Sequence, residues 1–243
     1  MQVDGLAIAL RPRPMAEAAD LGATLVRHHA RSVWSTFLPV YVVVVLLALC
    51  TVEIAEWLPA LVIFCLKPWL DRSLLFILSR AVFGQSTRWA DLWRERRAVW
   101  GGQLLRTLFW RRLSPWRSFT QAVEQLEGQR GSARRKRRMQ LLRGRRGAAM
   151  GMQLIFGNVE MALEFGVLSL LLWFAPEGSF SDVMGWLMHS ETTFNSLLAT
   201  GVSAVVIGVV EPFFVAAGFA MYLNRRVELE AWDIEQEFRH GFR

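Results

Sequence analysis

Residues 201–226, GVSAVVIGVVEPFFVAAGFAMYLNRR, decide the fold class. Between Glu191 and Arg225 the only charged side chain is Glu211, and Pro212 follows it. A bilayer is crossed by about 20 apolar residues, so this run is read as a span with an acid buried inside it. A charge at the bilayer centre costs about 2.5–3.5 kcal/mol on insertion scales and persists when it faces a partner or a wet cavity. Glu211 is therefore expected to face the bundle interior or a wet cavity.

Working outward, three further apolar runs take the same reading. No charge interrupts residues 32–52, which at 1.5 Å per residue reach about 31 Å, the thickness of a hydrocarbon core. Residues 57–79 are apolar at both ends but carry Lys67, Asp71 and Arg72 between them. Lys67 and Asp71 are four apart and share a helix face, so a local pair is expected. Pro68 removes a backbone donor, so a broken span is expected, with a half-span and an interfacial helix as the alternative. Residues 150–174 carry Glu160 and Glu164 on one face.

Spans two and four run in the same direction, and each holds a charge followed by proline, Lys67-Pro68 and Glu211-Pro212. Arg80 and Arg225 close the two at nearly equal distances. Interrupted spans at matching positions point to a shared site. Lys67 is therefore expected to neutralise Glu211, with Asp71, Arg72, Glu160 and Glu164 as neighbours and Pro68 and Pro212 as helix breaks.

The charge balance agrees with a membrane protein. The chain has 28 Lys and Arg against 21 Asp and Glu, a net charge of +7 and a mean hydropathy of +0.27. Residues 84–149 hold 17 of the basic residues and 4 of the acids. A basic cytosolic loop is retained inside by the positive-inside rule. Trp89, Leu92, Trp93, Trp100, Leu104 and Leu108 recur there at helical spacing, with a hinge at Gly101-Gly102, which suits a helix lying on a membrane. Arg134, Arg135, Lys136, Arg137, Arg138, Arg143, Arg145 and Arg146 are expected to face anionic head groups. The intervening loop, 175–195, has no Lys or Arg.

The fold expected is an all-α integral membrane protein of about four transmembrane helices in two hairpins, two of them broken at charge-proline steps, with cytosolic amphipathic helices. The segments are a leader helix in 1–31, a hairpin in 32–83, the basic region 84–149, a second hairpin in 150–223 and a tail helix in 224–243. The start of the chain does not read as a signal peptide, because its basic residues follow the apolar piece. Both termini are expected in the cytoplasm. Cys50 and Cys65 read as small hydrophobes, and the four histidines offer no ligand spacing, so no metal site and no cofactor is expected.

The motifs KPWLDRSLLFILSRAVFG (67–84), WRRLSPWRSF (110–119) and EPFFVAAGFAMYLNRRVELEAWDIEQEFR (211–239) resemble a family of bacterial multi-pass membrane proteins. That family is similar to the membrane domain found with glycerophosphodiester phosphodiesterases, and its members are often encoded near MoxR-type ATPases and transglutaminase-like membrane proteins. The resemblance implies a bacterial inner-membrane location. It lends no catalytic residue, since the phosphodiesterase domain has no counterpart in this chain.

No Walker loop, HExxH or GxSxG motif is present. A non-enzymatic accessory or scaffold subunit of a membrane assembly is therefore expected, with membrane lipids and other membrane proteins as partners, a homodimer among them, and no nucleic acid. The alternative is a small transporter or lipid-handling protein built on the intramembrane charges. An intramembrane enzyme using Glu160 and Glu164 ranks last.

Overall fold

The computed structural model describes residues 12–101, 114–173 and 193–230, and among these every regular element is helical. The elements are α1 (Met15–His28), α2 (Ala30–Leu49, extended by a 3-10 turn at Cys50–Glu53), α3 (Leu58–Ala81), α4 (Trp89–Arg94), α5 (Arg96–Trp100), α6 (Arg117–Gln125), α7 (Gly131–Leu142), α8 (Arg146–Trp173) and α9 (Thr193–Glu230). Among the described residues three stretches are long and apolar enough to cross a membrane: Ala30–Glu53, Arg146–Leu170 and Thr193–Glu230. The α3 helix is of spanning length, but Lys67, Asp71 and Arg72 break its apolar run.

The expected breaks at Pro68 and Pro212 do not occur. Both prolines lie inside uninterrupted helices. A proline removes one ladder bond and crowds one carbonyl, and packing from neighbouring helices holds each rod together. Below its proline α3 is clamped by α6, where the Gln121 amide donates to the Pro68 carbonyl at 3.4 Å and the Gln125 amide to the Arg72 carbonyl at 2.7 Å. The boundary expected after residue 223 is likewise absent, since α9 continues to Glu230.

At 38 residues α9 is the spine, about 57 Å long at 1.5 Å per residue. From Gly208 onward most of its residues are buried, with Phe214, Phe219 and Tyr222 in the core. The other helices pack around it in a readable register. On one flank α1 runs antiparallel to its lower half. The Arg13 amide donates to Asn224 Oδ1 at 2.9 Å, the Asn224 amide returns a bond to the Arg13 carbonyl at 2.8 Å, and Gly22 meets Ala216. The α2 helix continues upward along the same side. Trp34 packs on Phe213 at 5.8 Å, and Tyr41 donates to the Ala204 carbonyl at 2.5 Å. The α3 helix runs parallel to α9, from Glu56, whose carbonyl accepts from Ser196, to Lys67 beside Glu211. The α8 helix also runs antiparallel to α9, from Arg145 at Glu228 to Phe156 at Phe214.

The leader helix is therefore packed along the spine, where a surface helix was expected. The aromatic stretch from Trp89 is two short helices turning at Glu95 where one was expected. Its tryptophans pack in a row from α3 outward, Trp69 stacked on Trp100 at 5.2 Å, Trp100 edge-on to Trp93 at 6.4 Å and Trp93 stacked on Trp89 at 6.0 Å, and Trp100 Nε1 donates to Ser73 Oγ. The segment after Phe83 is tied to the base of α2, where Ser32 and Thr36 both donate to the Thr87 carbonyl at 2.9 Å. Leu104, Leu108, residues 175–192 of the expected loop 175–195 and residues 231–243 lie outside the described residues, and Thr193, Phe194 and Asn195, expected in that loop, belong to α9.

Two glycines permit this packing. A Cβ on Gly22 would lie 2.4 Å from the Ala216 carbonyl oxygen, and one on Gly218 would lie 2.4 Å from the Ser118 side chain. The α1 and α6 helices thus approach the spine at backbone distance. Gly22→Val is expected to lower stability by about 1–3 kcal/mol through overpacking and to release α1. Thermal unfolding in detergent and limited proteolysis before Ala30 would read both effects.

Candidate functional site: a buried ion junction

Lys67 sits on α3 one residue before Pro68, and its ammonium is held between acids of two other helices. Nζ lies 2.7 and 3.0 Å from the two oxygens of Glu160 on α8 and 2.8 Å from Glu211 Oε2 on α9. The second oxygen of Glu211 accepts from Arg117 Nη2 at 2.7 Å. Arg117 belongs to α6. Its Nε forms an ion pair with Asp71 Oδ2 at 3.2 Å, and its guanidinium lies over the Phe214 ring at 5.1 Å. Four helices that are far apart in sequence therefore meet at one continuous chain of charges, Glu160–Lys67–Glu211–Arg117–Asp71.

The junction is dry. The side chains of Asp71, Glu211, Lys67 and Arg117 are 0–4% exposed, and Glu160, at 20%, forms its only open edge. Removing charges from water is repaid only by close partners and further hydrogen bonds. Three carboxylates face two cations, so the cluster has one acid in surplus. Asp71 is the least well satisfied, since neither carboxylate oxygen has an aligned hydrogen bond.

The sequence-predicted residues divide accordingly. The expected Lys67–Glu211 pair is present, with Asp71 and Glu160 beside it. The expected local pair of Lys67 with Asp71 is replaced, because Lys67 turns to Glu160 and Glu211 while Asp71 meets Arg117. Arg72 is buried on α3 next to α6. Glu164 stands one turn beyond Glu160, half-exposed, and makes no ion pair among the described residues. Sequence reasoning missed Arg117 and left it within the general basic excess of 84–149. The available signal was its setting: in residues 113–123, LSPWRSFTQAV, it is the only charge.

The basic cluster also divides. Arg134 pairs with Glu124 at 2.6 Å, Arg137 with Glu127 at 2.9 Å and also with Glu230, and Arg145 with Glu228 at 3.0 Å. Glu127 accepts a further bond from Tyr222 at 2.6 Å. The hydrogen bonds to Glu127 hold the Arg137 guanidinium above its ordinary pKa, whereas burial pulls that of Arg138 down. Arg135, Lys136, Arg143 and Arg146 remain exposed. Half of the set is therefore bound within the fold, and half is free to meet another surface. Among the described residues no group of His, Cys, Asp and Glu side chains is arranged to hold a metal ion.

No family model matches this chain, and neither a curated protein nor a solved structure does.

Glu211 serves both cations, so Glu211→Gln is expected to lower stability by about 3–5 kcal/mol, the range for breaking a buried pair. Asp71→Asn removes the surplus acid and is expected to cost clearly less. Thermal unfolding of both variants in one detergent would check the order, and an equal loss would contradict the charge count.

Proposed function

We propose that the protein is a non-enzymatic scaffold or accessory subunit of a bacterial inner-membrane assembly. In this reading α2, α3, α8 and α9 cross the bilayer, with both termini on the cytoplasmic side. The inner border lies near Trp34 and Phe213, one turn from the charged Arg31, and the ion junction sits just above it. Below the border, the lower halves of α3 and α9 join α1, α6 and α7 in a helical layer facing the cytoplasm. The family resemblance of the three motifs belongs to the same proposal.

The observation that carries the reading is Arg117. It comes from the basic connecting region and inserts between Asp71 and Glu211, so the layer is fastened to the spans by a buried network. A fixed link of this kind suits a protein that holds partners in place. The exposed Arg135, Lys136, Arg143 and Arg146 add an anionic-lipid contact, each worth about 1 kcal/mol near a charged leaflet. A second reading, ion or lipid handling, is favoured by the open edge at Glu160 and by Glu164 one turn away.

The test is extraction from native membranes in mild detergent, with mass spectrometry of whatever co-purifies in stoichiometric amount. A protein partner is expected, retained by the wild type and weakened by Arg117→Gln. A bound lipid or small anion in place of a protein, lost on Lys67→Gln, would overturn the scaffold reading in favour of the second.

A further inference from the structure

The α8 helix touches its own fold along one side only. Ala149 and Met152 are buried, Phe156 and Glu160 are half-buried, and the opposite side is open along the whole helix. That open side is not uniformly apolar. Gly147, Gly151, Leu154, Asn158, Ala162, Phe165 and Ser169 follow one another at spacings of four and three, so they form one straight seam pointing away from the spine. Cβ atoms built on Gly147 and Gly151 would meet open space. Small residues four apart, with a polar side chain between apolar neighbours, let two membrane helices approach closely and bond across the gap.

Asn158 is the polar group of the seam. It is exposed, and its amide donates only to the Leu154 carbonyl of its own helix, at 2.8 Å. No described residue donates to its oxygen. Hydrocarbon offers such a group nothing, and burying an amide without a bond costs roughly 2–7 kcal/mol. A carboxamide is its own complement, since the oxygen of one accepts from the nitrogen of another.

A second observation points the same way. The α1 and α8 helices flank the same stretch of α9, between Phe214 and Glu228. The outward residues of α1 there include Asp20, Thr24 and Arg27, all exposed and suited to water. Those of α8 at the same level are Met150, Leu154 and Ile155, 46–64% exposed. At one level, therefore, the outward side of α1 is polar and that of α8 is apolar, a contrast that a protein partner seated on α8 accounts for.

We propose that the α8 seam is the two-fold interface of a homodimer, in which the Gly147–Gly151 stretches approach and the Asn158 amides bond to each other. The inference rests on α8 being a membrane helix. Its test is disulfide cross-linking of the full chain in native membranes, in a Cys50→Ser, Cys65→Ser background. Single cysteines are placed at Leu154 and Asn158 on the seam, and at Val159 and Leu170 beside it. All four positions are exposed, and the only side-chain hydrogen bond described at any of them is that of Asn158 to the Leu154 carbonyl of its own helix. Cross-linked pairs are expected to form readily at 154 and 158 and to be nearly lost at 159 and 170. Equal reaction at all four, or none at any, would overturn the dimer. So would seam cross-links that appear only after removal of residues 231–243, because that result assigns the face to the chain's own tail. A chain released from the membrane by carbonate would sink the membrane reading itself, whereas a retained chain that fails to cross-link sinks only the dimer.

Discussion

A buried charge must be answered, and in this protein the answers come from different helices. Lys67 has no acid on its own helix that it uses. It draws Glu160 from α8 and Glu211 from α9, and Glu211 in turn holds Arg117 of α6. Pairing at this depth constrains geometry more than it adds stability, because desolvation offsets much of the attraction. Its consequence is register. With Glu211 shared between two cations, α3 and α6 cannot slide along the spine without exposing a dry charge. The remaining packing can then be close, as at Gly218, where α6 meets α9 with no room for a methyl group.

The spine extends this register over the whole molecule. Its upper half is lined by α2 and α3, and its lower half by α1, α6 and the start of α8. Because α9 does not break at Pro212, both halves belong to one continuous helix. The second set of ion pairs, Arg137 with Glu230 and Arg145 with Glu228, fastens the bottom of the spine to α7 and the start of α8, while Arg226 pairs with Glu230 within the spine itself. These pairs are partly exposed and individually weak. Together they neutralise part of the basic excess that a charge count assigns wholly to the surface.

Much of this was legible in the sequence. The apolar runs at α2, α8 and α9 mark themselves by length, and the matched Lys67-Pro68 and Glu211-Pro212 steps pointed to each other because they stand at nearly equal distances from closing arginines. The errors share a cause. A proline reads as a break because the local rule counts one lost bond, while the neighbours that hold the helix straight are distant in sequence. Arg117 reads as one more surface arginine because charge density says nothing about direction. Arg134 and Arg137 read as lipid-facing because their acids are ten residues away, Glu124 on α6 and Glu127 in the turn that follows it. Periodicity and composition report a residue's own helix. Tertiary partners must be inferred from what a buried charge requires, and that rule, applied to the lone arginine in LSPWRSFTQAV, was the one available clue.

The central claim is that the ion junction fastens α6 to the spans. Hydrogen–deuterium exchange over residues 117–125 tests it most directly, comparing the wild type with Glu211→Gln in the same detergent. The account predicts that these amides lose protection in the variant while α2 remains protected. Unchanged protection of 117–125 would contradict it, and would mean that apolar packing alone holds α6 in place.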